Sequence, residues 1–149
     1  MRKKTILCFL FPILFSLSCG KEELRQTIPF ASVNFTINLN GLDHSLRTPL
    51  SYKTFIQARL QTDRVGFGGL LIVSGFNGEI FAFDLACPCE RRRDVLVTPN
   101  ADGTAVCATC HSVFITSFGL GTVISGNAPA SLQVYNVFPQ GEGVFIVRH

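Results

Sequence analysis

Cys87, Cys89, Cys107 and Cys110 form the pattern C-x-C-x17-C-x2-C. Two short cysteine pairs on separate loops can turn four thiolates toward one inorganic centre, and zinc and iron–sulfur sites are both built from such pairs. In an oxidising compartment the same residues have a second chemistry, disulfide formation. Cys107 and Cys110 are one candidate pair. Cys87 and Cys89 are a single residue apart and would make a strained bridge, so a bond between the loops is the better alternative. The spacing points to a metal or cluster site and leaves the choice of centre open.

Both pairs need rigid elements to aim them, and the flanking sequence supplies strands. Glu79-Ile80-Phe81-Ala82-Phe83-Asp84 runs directly into Cys87. It is preceded by Leu70-Leu71-Ile72-Val73 and an Asn77-Gly78 turn, a strong hairpin signal. A second turn at Ala101-Asp102-Gly103 leads into Thr104-Ala105-Val106, which delivers Cys107 and Cys110. Further strands are predicted where Val33, Phe35, Ile37 and Leu39 alternate with polar residues, at Leu132–Val137 and at Val144–Val147. No helical period is sustained beyond the N-terminal segment. The fold class is therefore all-β, with a metal-binding tip formed by two loops.

The N-terminus has a different logic. Arg2, Lys3 and Lys4 precede an apolar stretch, Ile6 to Leu17, then Ser18-Cys19. A basic start, a short apolar run and a small residue before the cut describe a secretory signal. The run falls short of the ~20 apolar residues a membrane span needs. Phe15-Ser16-Leu17-Ser18-Cys19 resembles a bacterial lipobox, although Leu is more usual where Ser16 stands; the resemblance implies lipidation of Cys19. Residues 1–18 then form a signal peptide that removes Cys8. Residues 19–27 form a flexible tether, and residues 28–149 form one domain whose cluster-binding part spans 84–130. The Lys21-Glu22-Glu23 run fits either a solvated tether or a lipoprotein surface-export signal. The expected location is extracytoplasmic, on the cell envelope through a lipid anchor.

Charge narrows the function classes. Of 13 Lys and Arg, three lie in the signal, which leaves ten against ten acidic residues. With no broad basic face, nucleic acid is not an expected partner. The one basic cluster, Arg91-Arg92-Arg93, is read either as a solvated loop or as a guanidinium group that offsets an anionic centre and steers an acidic partner.

Residues 70–149 resemble the Rieske iron–sulfur domain family. The strand–turn–strand unit ending in Cys87-Pro88-Cys89 is similar to the family's entry to Cys-Pro-His. Cys107-Ala108-Thr109-Cys110-His111-Ser112-Val113-Phe114 is similar to its second loop, Cys-x-x-His-Gly-Ser-x-Phe. The stretch Gly121–Pro129 and the strand after it also resemble the family, whose proline loop would lie near Gly126–Pro129. The resemblance implies a Rieske-like antiparallel β-sandwich carrying a [2Fe–2S] cluster. It further implies that Cys87 and Cys107 share one iron, that Cys89 and Cys110 hold the outer one, and that Ser112 donates to a cluster sulfur. The departure is that Cys89 and Cys110 stand where the family has histidines. His111 falls where the family has glycine, and the disulfide of its high-potential members has no counterpart.

Replacing two neutral imidazoles by two thiolates adds two negative charges, which disfavours adding an electron. Histidine-ligated centres lie at about −150 to +300 mV and plant-type ferredoxins near about −400 mV. A low potential follows. The expected function is a membrane-tethered electron-transfer protein with an unknown redox partner. The alternatives are a structural zinc site on the same scaffold, acting as an extracytoplasmic binding module, and a disulfide-stapled domain without metal. The export signal lacks a twin-arginine pair, which weighs toward zinc or an empty site. No catalytic arrangement is legible, so a carrier or binding module is expected rather than an enzyme.

Overall fold

The computed structural model describes residues 27–149. The lipobox, Cys19 and nearly all of the tether lie outside the described residues. Among those described, no helix is long and apolar enough to cross a membrane.

The chain builds eleven strands: β1 (Val33–Asn38), β2 (Tyr52–Phe55), β3 (Arg64–Val65), β4 (Leu70–Ser74), β5 (Ile80–Asp84), β6 (Val97–Pro99), β7 (Thr104–Cys107), β8 (Val113–Ile115), β9 (Thr122–Ser125), β10 (Val134–Gly141) and β11 (Val144–Arg148). A single 3-10 turn, His44–Arg47, is the one helical element among them. A seven-stranded sheet runs β2-β4-β5-β10-β11-β1-β3, and a four-stranded sheet runs β6-β7-β8-β9. Every strand pairing is antiparallel. The all-β expectation holds.

The β4–β5 hairpin forms as its Asn77-Gly78 turn predicts, pairing Leu70 with Asp84 and Ser74 with Ile80. β4 is buried on both faces. Because strand side chains alternate, Leu70 and Ile72 enter one core with Phe35, Ile37, Leu46 and Val147. Leu71 and Val73 enter a second core with Phe83, Val97, Ala105, Phe114 and Leu132. The hairpin is thus the wall between two cores. Each fully buried Leu, Ile or Phe contributes about 1.5–3 kcal/mol. The first core closes the base of the large sheet. The second lies between the large sheet and the small one, and it also contains Cys87 and Cys107.

Residues 28–69 split between the two edges of the large sheet. β1 pairs with β11 and β3, while β2 pairs with β4. The last hairpin differs in extent from expectation: β10 begins at Val134 and runs through a bulge between Pro139 and Gly141. Leu132 and Gln133 precede it, and the Gln133 carbonyl accepts from the Asp84 amide.

Candidate metal centre

Cys87 and Cys89 lie on the loop between β5 and β6. Cys107 ends β7, and Cys110 lies on the loop to β8. The first cysteine of each pair is fully buried and the second is half-exposed. All four are free thiols.

The two loops have the same backbone. In the first, the Arg91 amide donates to the Cys87 carbonyl at 2.8 Å; in the second, the His111 amide donates to the Cys107 carbonyl at 2.9 Å. Each loop then takes its fourth residue through the left-handed region, Arg91 at φ 53° and His111 at φ 56°. Further bonds fasten each loop to its neighbours, Cys87 N–H to the Val95 carbonyl and Cys107 N–H to the Ser112 carbonyl, both at 3.0 Å.

These turns bring the sulfurs together. The Sγ atoms of Cys87, Cys107 and Cys110 all lie within 4.8 Å of one another, with Cys87 and Cys110 at 3.6 Å. Cys110 Sγ also belongs to a second group, again within 4.8 Å, with Cys89 Sγ and a carboxylate oxygen of Glu90. His111 is exposed and belongs to neither group. Glu90 escaped the sequence reading, although its place directly after Cys89 was the available signal.

Ser112 is buried, and its Oγ sits 3.3 Å from Cys110 Sγ while accepting the Ala128 amide at 3.0 Å. The Gly126–Pro129 stretch therefore rests against the second loop. Gly126 lies at φ 93°, and a Cβ there would meet the Ser112 Cα at 2.5 Å, so this approach needs glycine.

Asp84 fastens the first loop from below. Its buried carboxylate accepts from the amides of Phe67 (2.6 Å), Gly68 (2.9 Å) and Ala86 (2.7 Å) and from the Tyr135 hydroxyl (2.6 Å). Gly66, at φ 89°, leaves room for this: a Cβ there would lie 2.6 Å from both Asp84 Oδ2 and the Tyr135 Oη. Burial pushes the Asp84 carboxyl up against the pull of these four donors. Burial and the neighbouring Asp84 charge push the Tyr135 phenol up as well.

The thiols are electrostatically unequal. Burial pushes Cys87 up to about 12. Burial also works against ionisation of Cys110, but the Ser112 hydroxyl and amide outweigh it and hold that thiol at about 7. Cys89 is raised, by desolvation and then by the neighbouring Cys110. Of the arginines, Arg92 pairs with Asp94 at 2.6 Å and Arg93 lies over the Phe67 ring at 4.5 Å. Arg91 is exposed and makes no side-chain hydrogen bond or ion pair among the described residues.

The donor set suits a thiophilic metal or cluster. Four sulfurs are offered by two facing turns, and no basic side chain is bonded to them among the described residues. The two buried and two half-exposed cysteines together offer four thiolate donors, and Cys110 belongs to both sulfur groups. A zinc ion has a claim on the same sulfurs. Ligands about 2.3 Å from one tetrahedral ion lie about 3.8 Å apart, close to the observed Cys87–Cys110 distance.

No family model matches the chain, and no curated protein does. Two solved structures were among those with similar chain traces. One chain of the complex of reduced oxygenase and oxidised ferredoxin in carbazole 1,9a-dioxygenase aligns with a TM-score of 0.48 and 13% identity, covering 78% of this chain and 93% of that chain. A protein described as the small subunit of an NADH-dependent nitrite reductase from Mycobacterium tuberculosis aligns with a TM-score of 0.47 and 14% identity, covering 79% of this chain and 96% of that chain.

Proposed function

We propose that this protein is an electron carrier, holding a Rieske-like [2Fe–2S] cluster through four thiolates and anchored outside the cytoplasm by a lipid on Cys19. Cys87 and Cys107 would hold the inner iron, and Cys89 and Cys110 the outer one. When bound, such a cluster accepts and returns one electron.

The observation that carries this reading is the burial split between matched turns. The first cysteine of each loop is a core residue and the second is half-exposed at the tip. A carrier needs that polarity. The inner ligands are fixed by the β5 and β7 ends, and the outer ligands face the solvent side where a partner protein docks. Ser112, whose Oγ accepts from the Cys110 thiol, would donate to that sulfur once it is a ligating thiolate, and Asp84 keeps the first loop in register with the large sheet. Arg91, beside the outer pair, favours an acidic redox partner.

A second reading is a structural zinc site on the same loops. It is favoured by the close trio of Cys87, Cys107 and Cys110, and it would make the domain a binding module with no redox role. A spectroelectrochemical titration of anaerobically purified protein separates the two. The carrier predicts a reversible one-electron step below zero volts. With no ligating imidazole to titrate, its potential stays level from about pH 6 to pH 9. A potential above zero, or a redox-silent protein, contradicts it.

A further inference from the structure

We propose that Phe76, Phe118 and Leu120 form a membrane-seating face, which lies against the bilayer beside the lipid anchor and holds the cysteine loops away from it. The inference rests on the Cys19 anchor of the reading above and adds an orientation that the anchor alone does not give.

The first ground is how the face is built. Phe76 stands just before the Asn77-Gly78 turn, and its ring lies 5.4 Å from that of Phe118. Glycines close the 118–121 segment onto the domain. A Cβ at Gly119 would meet the Phe81 ring at 2.7 Å, and one at Gly121 would meet the Leu132 Cβ at 2.8 Å. With the glycines inside, Phe118 and Leu120 are left outside, 60% and 66% exposed, next to Phe76 at 50%. Exposed apolar side chains that are grouped, rather than scattered singly, mark an interaction surface.

The second ground is where the chain enters the domain. The Thr27 amide donates to the side-chain oxygen of buried Gln133 at 2.9 Å, and Ile28 behind it is buried. Thr27 and Leu120 line one surface cavity with Leu132 and Val134. Cys19 precedes Thr27 by eight residues, a reach of at most ~29 Å when fully extended. A lipid on Cys19 therefore keeps the Leu120 side of the domain within one short tether of the bilayer.

Charge decides the kind of lipid contact. No Lys or Arg lines this cavity or the neighbouring one formed by Phe76, Phe81 and Phe118, and the acidic Glu79 lies in the second. Anionic headgroups are recognised by basic clusters. This face instead offers apolar side chains to the headgroup–acyl boundary, where interfacial elements bury to a depth of about 5–10 Å. The Asn77-Gly78 turn lies at the opposite end of β5 from Cys87, and the 116–121 loop at the opposite end of β8 from Cys110. Seating the face therefore turns both cysteine loops outward, toward a partner in the aqueous phase.

The chain contains no Trp, so a single Phe118→Trp substitution reports the contact. Protein isolated from its envelope, with the lipid on Cys19 verified by the mass of its N-terminal peptide, is placed in phosphatidylcholine vesicles with plain or brominated acyl chains. The comparison is Ile56→Trp: Ile56 is equally exposed, but it flanks Gly69 together with Leu85, on the Cys87 side. Bromine is expected to quench Phe118→Trp about twofold or more and Ile56→Trp hardly at all, with no effect of added salt. An unquenched Phe118→Trp in lipidated protein overturns the face and leaves the anchor standing; emission that then shifts to the blue with rising protein concentration gives the face to a second copy of the chain. Equal quenching of the two reporters overturns the orientation. Protein without lipid on Cys19 overturns the anchor, and the seating with it. Should Phe118→Trp fail to fold, Leu120→Trp reports from the same face with the same expectations.

Discussion

Arg91 and His111 hold the same station in the two cysteine loops. Each stands four residues after a buried cysteine, donates its amide to that cysteine's carbonyl, and sits at φ 53° or 56°. A side chain in the left-handed region costs about 1–2 kcal/mol relative to the right-handed one, and glycine avoids that cost. Arg91→Gly and His111→Gly should therefore each stabilise the fold by about 1 kcal/mol in urea unfolding, compared in the same metal state. A loss of stability would mean that these side chains make contacts that outweigh the strain.

The Asp84 carboxylate is the fastening of the first loop. Asp84→Ala would orphan three amides and the Tyr135 hydroxyl in a buried site, at a cost of about 1–3 kcal/mol for each group left unsatisfied. A total loss above about 3 kcal/mol is expected, with faster hydrogen exchange at the Ala86 and Gly68 amides. Tyr135→Phe removes a single donor and should cost only about 1–2 kcal/mol. Equal effects of the two variants would contradict this account.

Asp43 predicts the acid limb of stability. It is buried and accepts from Arg59 at 2.7 and 3.1 Å, from Lys53 at 3.1 Å and from the Asn38 amide at 3.0 Å. Burial alone would raise its carboxyl, but these donors outweigh it and hold it below 3.8. A folded-state value below the unfolded one means stabilisation that is full above about pH 4 and lost as pH falls through the folded value. Asp43→Asn should flatten this acid dependence and cost roughly 2–3 kcal/mol at pH 7, discounted because Arg59 and Lys53 are partly exposed. Acid unfolding curves of the two proteins check it. A variant as acid-sensitive as wild type would contradict the assignment.

Thiol reactivity should follow the burial split. In reduced, metal-free protein, Cys110 is expected to alkylate first, its rate rising as the thiolate forms through about pH 7 and levelling above it. Cys87, at about 12, should stay unmodified over the same range. Peptide mapping after a timed iodoacetamide pulse reads the order, and modification of Cys87 before Cys110 would contradict it.

Much of the site's frame was legible because its signals are local. Asn77-Gly78 announces a hairpin wherever it falls between apolar runs, and the β4–β5 hairpin carries the chain straight to Cys87. Alternation over Val33–Leu39 likewise gave β1 its buried face. What escaped is non-local or marginal. β1 pairs with β11 from the far end of the chain, a choice that no short pattern records. β8 and β9 are short, with mostly half-exposed or exposed residues, so neither period nor composition marks them. In the site, the cysteine spacing gave the four sulfurs, and Ser112 followed from the resemblance. Asp84 acts through where the backbone turns it, and a lone acidic residue has no sequence signature for that.

Iron, zinc and acid-labile sulfide per chain, measured on protein purified anaerobically from its native envelope, test the four-thiolate cluster most directly. The account predicts about two irons and two sulfides, with both lost in Cys87→Ser and Cys107→Ser. One zinc with no sulfide, or no metal with all four thiols oxidised, would contradict it.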